Sequence, residues 1–148
     1  MNDPRFNRRP EVGLELALDL VRTACAGAVQ QGIAVCVGVT DRAGDVVACA
    51  RMDGAPLGAM QLALDKAYTA AAWQMPSGDL HVSTQPGGPD WGLTSTAGGR
   101  IVVYPGGLPI AVDGHLAGAI GVSGGTGEQD ASCAAGALSA LELGDPAD

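Results

Sequence analysis

The stretch GVSGGTGEQD, residues 121–130, sets four glycines, a serine and a threonine ahead of two acids. A glycine-rich turn that opens a helix can cradle an anion on bare N–H groups. Here the amides from Gly125 to Glu128 would face it, at the positive end of the helix macrodipole. Gly124, Gly125 and Thr126 are therefore candidate ligands for a carboxylate. The same stretch can equally be a tight strand-to-helix corner with no ligand at all. Glu128 and Asp130 are then first-turn acids, or proton acceptors if the loop lines a pocket. A nucleotide phosphate is disfavoured, because the Walker spacing and its lysine are absent.

Lys66 is the single lysine, set among Ala63, Leu64, Ala67 and Ala70. Apolar neighbours depress an ammonium pKa, which suits a Schiff base or general base. The plainer alternative is a snorkelling surface lysine paired with Asp65 or another acid. His81 and His115 are the two imidazoles. His115 follows an Asp-Gly turn, where exposure needs no explanation. His81 lies in the Gly/Pro-rich middle segment with Trp91 and is the better ligand candidate. Arg51 and Asp53 either form an ion pair or leave Arg51 to grip a carboxylate bidentately. Arg100 is a second carboxylate clamp. No His/Cys/acid cluster suggests zinc, and no Ser/His/Asp order is evident.

The elements that must position these groups follow from periodicity. Apolar residues at 14, 17, 18, 21, 25 and 28 have helical spacing over 11–31, ended by Gly32. IAVCVGVT alternates branched and small residues as a strand; the DRAGD turn and VVACARM give its returning partner. Residues 58–73 read as an Ala-rich helix stopped by Pro76. Residues 77–98 read as a short helical turn and a long exposed loop. RIVVY, the PGGLP corner, IAV and HLAGAIGV then read as three strands. Asp113–Gly114 between two of them is a strong hairpin signal. The last helix, from Gly127 to about Leu143, opens on a capping box, Thr126-x-x-Gln129. The order α-β-β-α-β-β-β-α makes an antiparallel sheet packed by helices, in one domain over 11–148 behind a flexible N-terminal arm, 1–10.

Composition narrows the function. Sixteen acids oppose eight basic residues, a formal charge of −8, which argues against nucleic-acid or anionic-membrane partners. No apolar run has the length of a membrane span, and no apolar signal core follows the arm. Four widely spaced cysteines in apolar stretches read as buried free thiols of a cytoplasmic protein. Many Ala and Gly and few aromatics leave apolar surface for subunit contacts.

VTDRAGDVVACARMDGAPLGAMQLALDKAYTAA and YPGGLPIAVDGHLAGAIGVSGGTGEQD, with their spacing, resemble the GlcG/HbpS family of haem-binding and haem-degrading proteins, a domain also attached to PduO-type corrinoid adenosyltransferases. The resemblance covers 11–143. It implies a profilin-like, five-stranded antiparallel sheet flanked by helices, a homo-oligomer, and haem as the best-described ligand. For haem one axial His, Met or Tyr suffices, so Tyr68, Tyr104, Met52 and Met75 join His81. The Lys66-Ala67-Tyr68-Thr69-Ala70 segment matches a family segment and implies a shared pocket wall. The expected pocket lies between the 121–130 loop, the Lys66 helix and the 77–100 loop. The leading expectation is an oligomeric protein binding haem or a related tetrapyrrole. The alternative is an acid/base enzyme, a hydrolase, lyase or isomerase, acting on a small acidic or aromatic metabolite. In it Lys66 or His81 moves a proton, with Glu128 a further candidate, while the loop and Arg51 hold a carboxylate.

Overall fold

The apolar spacing from Leu14 becomes helix α1 (Leu14–Gln30) in the computed structural model, which describes Asp3 and residues 5–143. Residues 1, 2 and 4 of the expected arm and 144–148 of the expected domain lie outside the described residues. Strands β1 (Cys36–Asp41) and β2 (Val46–Arg51) form a hairpin. Its turn is braced by Asp41 Oδ1, which accepts from the amides of Ala43 and Asp45 at 2.8 and 3.0 Å. Helix α2 (Ala59–Trp73) ends at Gln74, whose φ of 52° precedes Pro76. Strands β3 (Gly107–Val112) and β4 (His115–Ser123) meet at Asp113–Gly114, both with positive φ, as an Asp-Gly hairpin requires. Helix α3 (Gly127–Ala140) carries the expected capping box in both directions.

The sheet is antiparallel throughout, in the order β2-β1-β4-β3. Helices α1 and α3 bury Val35, Val37, Val39, Ile110, Ile120 and Val122 on one face. Helix α2 lies on the other face, and three glycines let it lie very close. Gly38 on β1 pairs with Gly121 on β4, which pairs in turn with Gly107 on β3. A Cβ on Gly38 would meet Leu64 Cδ2 at 2.6 Å, one on Gly121 the Ala67 amide nitrogen at 2.7 Å, and one on Gly107 the Lys66 carbonyl carbon at 2.7 Å. A glycine trough thus receives the Ala63–Ala67 backbone, the packing reason for an alanine-rich helix.

The sheet has four strands, not five: residues 100–104 do not join it. Ile101 and Val103 are buried, but against Leu80, Tyr68, Met75 and Leu93. Polar groups of this segment are satisfied by side chains instead of a neighbouring strand. The Val102 amide donates to Thr69 Oγ1 at 2.9 Å, and the Tyr104 carbonyl accepts from Ser77 Oγ at 2.6 Å. An apolar alternation that is buried by a helix looks the same in sequence as one buried in a ladder. The 77–99 segment forms three 3-10 turns, Ser77–Leu80, Leu93–Ser95 and Ala97–Gly99, rather than one. Of the cysteines, Cys36 and Cys133 are buried and Cys25 is half-buried, but Cys49 is exposed because β2 is an edge strand.

Candidate functional site

Lys66 does not snorkel. It is 1% exposed, the largest of the fully buried side chains, and its partner is Asp130, itself 2% exposed. The ammonium donates to Asp130 Oδ2 at 2.8 Å and to the Val122 carbonyl at 2.9 Å. The other carboxylate oxygen, Oδ1, accepts from the Gly125 amide at 2.8 Å. Burial pushes the Lys66 pKa below its ordinary value, and the hydrogen bond and charge of Asp130 offset that only in part. Asp65, the neighbour in sequence, turns elsewhere and binds Arg100.

This geometry answers the question posed by the glycine loop. The Gly125 amide is taken by Asp130, and the Thr126 amide by Gln129 Oε1 at 2.9 Å. Of the four amides expected to face an anion, those of Gly127 and Glu128 are left over. The corner itself also demands glycine. Gly124 has φ 145°, and a Cβ there would meet the Ala34 carbonyl oxygen at 2.5 Å. Gly125 lacks a positive φ; the nearest atoms to its Cβ would be side-chain atoms of Gln129 and Ile33, at 2.8–3.0 Å. Glu128 is exposed, as a first-turn acid.

A second polar group sits on the outer side of α2. Arg100 Nε donates to Asp65 Oδ1 at 3.2 Å, Gln61 Nε2 donates to the same oxygen at 3.0 Å, and the guanidinium lies 3.9 Å from the Tyr68 ring centroid. Arg100 and Tyr68 are both partly exposed. Tyr68 also closes against the β1–β2 turn, where a Cβ on Gly44 would meet its Cδ2 at 2.6 Å. Two of the expected ligand residues are therefore together, Tyr68 on the helix that carries Lys66 and Arg100 packed against it.

Arg51 is exposed at the end of β2, and among the described residues no ion pair joins it to Asp53. Its register partner Cys36 also pairs with Ser123, so Arg51 shares one end of the sheet with the strand leading into the glycine loop. His81 is exposed, with Gln85 Nε2 3.4 and 3.5 Å from its ring nitrogens. Trp91 is 66% and Val82 80% exposed on the same segment. His115 is exposed at the hairpin, as its turn dictates. Among the described residues no group of three or more His, Cys, Asp or Glu is placed to hold a metal ion. No described helix is long and apolar enough to cross a membrane. A groove of about 460 Å³ opens elsewhere, between α1 and α3, past Gly27, Gln31, Cys133 and Gly136.

Sequence reasoning missed Asp130 as the partner of Lys66 and Gly106 as the residue that makes room for them. The PGG corner was the one local signal for Gly106. Sixty-four positions separate the charged pair, and no spacing rule spans them.

Comparison with known proteins gives this geometry its context. Residues 12–139 match the family model described as haem degrading protein HbpS-like. The chain is 36% identical over 127 residues to an uncharacterized 15.0 kDa protein in the dhaT-dhaS intergenic region of Citrobacter freundii, covering 86% of this chain and 89% of that one. It is 37% identical over 125 residues to the corrinoid adenosyltransferase PduO of Salmonella typhimurium, covering 84% of this chain but only 37% of PduO. Among solved structures, Klebsiella pneumoniae ORFY superposes with a TM-score of 0.91 at 32% identity, over 96% of this chain and 97% of that one. A PduOC structure, solved as a haem complex, gives 0.87 at 34% identity, over 91% and 98%. A double mutant of Streptomyces reticuli HbpS gives 0.84 at 27% identity, over 95% and 94%.

Proposed function

The chain belongs to the HbpS-like family, and from that premise we propose that it is an oligomeric protein that binds haem or a related tetrapyrrole. The observation that carries this reading is the match to PduOC, whose structure holds haem, over 98% of that domain. The side chains of this chain fit such a group. An axial donor must be accessible to iron, and His81 is an exposed imidazole beside Val82 and near Trp91 in sequence, both largely exposed. Propionates call for cations, which Arg100 above Tyr68 would supply; Arg51 lies at the opposite end of the β1–β2 hairpin. Bound haem would supply an iron centre for redox or ligand chemistry. In such a complex His81 would hold the iron and Arg100 a propionate.

The geometry supports the acid/base enzyme less well. A general base must reach its substrate, and the Lys66 nitrogen is buried and committed to Asp130 and Val122. Exposed Leu57, Val82, Trp91 and Tyr104 support an oligomer that covers part of this apolar surface.

Titration with haem, followed by absorption, tests the reading. A Soret shift with a Kd of about 1 μM is expected, a binding free energy of roughly 8 kcal/mol. His81→Ala should weaken binding at least tenfold, and His115→Ala should leave it unchanged. An unshifted spectrum at tens of micromolar protein would overturn haem binding. Light scattering giving the mass of a single chain would overturn the oligomer.

A further inference from the structure

The Lys66–Asp130 pair is buried, and the haem reading does not use it. We propose that the Gly125 amide and the Lys66 ammonium form a carboxylate-binding site whose resident ligand is this chain's own Asp130. The site is therefore closed to outside anions, haem propionates included, while that carboxylate is in place. One oxygen of Asp130 receives the Gly125 amide and the other the Lys66 ammonium, each at 2.8 Å. The side chains of the pair are 2% and 3% exposed, so bulk anions do not reach the cradle.

The surroundings are built for the clamp. Gly106 has φ 125°, and a Cβ there would come within 2.9 Å of Lys66 Nζ and 3.0 Å of Asp130 Cβ. Its own carbonyl accepts from the Val122 amide at 2.9 Å, and the Val122 carbonyl is the second acceptor of the ammonium. Lys66 on α2 and Asp130 on α3 come from opposite faces of the sheet and meet at the end where Gly106 leaves an opening. A buried ion pair is seldom more stabilising than apolar residues of the same volume. What the charges add is direction: a carboxylate held by an ammonium presents its second oxygen to one amide, and so fixes the loop at Gly125. Asp130 and Lys66 are thus positioning residues for the loop. This inference does not depend on haem binding, and the two fail separately.

Formate tests it, since Asp130→Ala plus formate restores the atoms that the substitution removes. Asp130→Ala should melt below the wild type. Formate at 100 mM should raise its melting temperature by several degrees over equimolar chloride. The wild type should show no such difference, and Lys66→Met added to Asp130→Ala should abolish the response. An equal effect of formate and chloride on Asp130→Ala would overturn the proposal. If that variant does not fold, the apolar pair Lys66→Met with Asp130→Leu decides the matter. In it the Gly125 amide should exchange with deuterium at least tenfold faster than in wild type, while the amides paired between β1 and β4 keep their protection. Unchanged Gly125 protection would overturn the proposal equally.

Discussion

Replacing Gly121 by alanine adds one methyl group in the middle of the trough beneath α2. It would stand 2.7 Å from the Ala67 amide nitrogen, 3.0 Å from the Ala63 carbonyl carbon and closer still to that carbonyl's oxygen. Ordinary carbon contacts begin near 3.5 Å, so α2 must rise by the better part of an ångström. The obstacle is backbone on both sides, which no rotamer change relieves. The helix cannot simply shift along the sheet, because Gly38 and Gly107 are matched to Leu64 and Lys66 on either side. Overpacking typically costs 1–3 kcal/mol, and a clash between rigid elements belongs at the upper end, about 3 kcal/mol. For a chain of this length that is a fall of roughly 6–12 °C in melting temperature. Gly121 does not have positive φ, so dihedral strain contributes nothing to the loss. Gly136→Ala is the matched control. It lies within α3, exposed, with nothing within 4 Å of its added Cβ. There alanine should stabilise by about 0.5–1 kcal/mol through helix propensity. Differential scanning calorimetry of the two variants reads both numbers. A Gly121→Ala protein melting within about 2 °C of wild type would refute the trough.

Thr126→Ala removes the hydroxyl that accepts from the Gln129 amide at 3.2 Å and should cost about 1 kcal/mol, read by urea denaturation. Alkaline pH offers an independent check of burial. Desolvation raises the thiol pKa values of Cys25, Cys36 and Cys133. The unfolded chain then gives up thiol protons first, so stability should fall as pH rises through the ordinary thiol value of about 8.5. Cys36→Ala should make that fall shallower in urea titrations between pH 7 and 10; an unchanged slope would show that this thiol does not contribute.

Local rules settled much of this protein. Residues 14–30 are helical because their apolar residues recur at helical spacing, and Asp113–Gly114 turns because both positions accept positive φ. Thr126 and Gln129 cap α3 because three residues is the reach of a capping box. His115 is exposed for the same local reason, its place beside a turn. The family too was legible early, since the blocks that carry the resemblance are contiguous. What needed the tertiary structure was the β1–β4 pairing that joins the two hairpins, and the side-chain contacts between distant segments. RIVVY has the alternation of a strand, yet Thr69 and Ser77, 33 and 27 positions away, claim its polar groups and keep it out of the ladder. Lys66 stands next to Asp65 in sequence, but consecutive residues on a helix point in different directions. Asp65 turns out towards Arg100, while Lys66 turns in, past a glycine on another segment, to an acid 64 residues away. Composition could say that a lone lysine among alanines is unusual. Only the packing of α2 and α3 about one end of the sheet decides that its charge holds a loop in place.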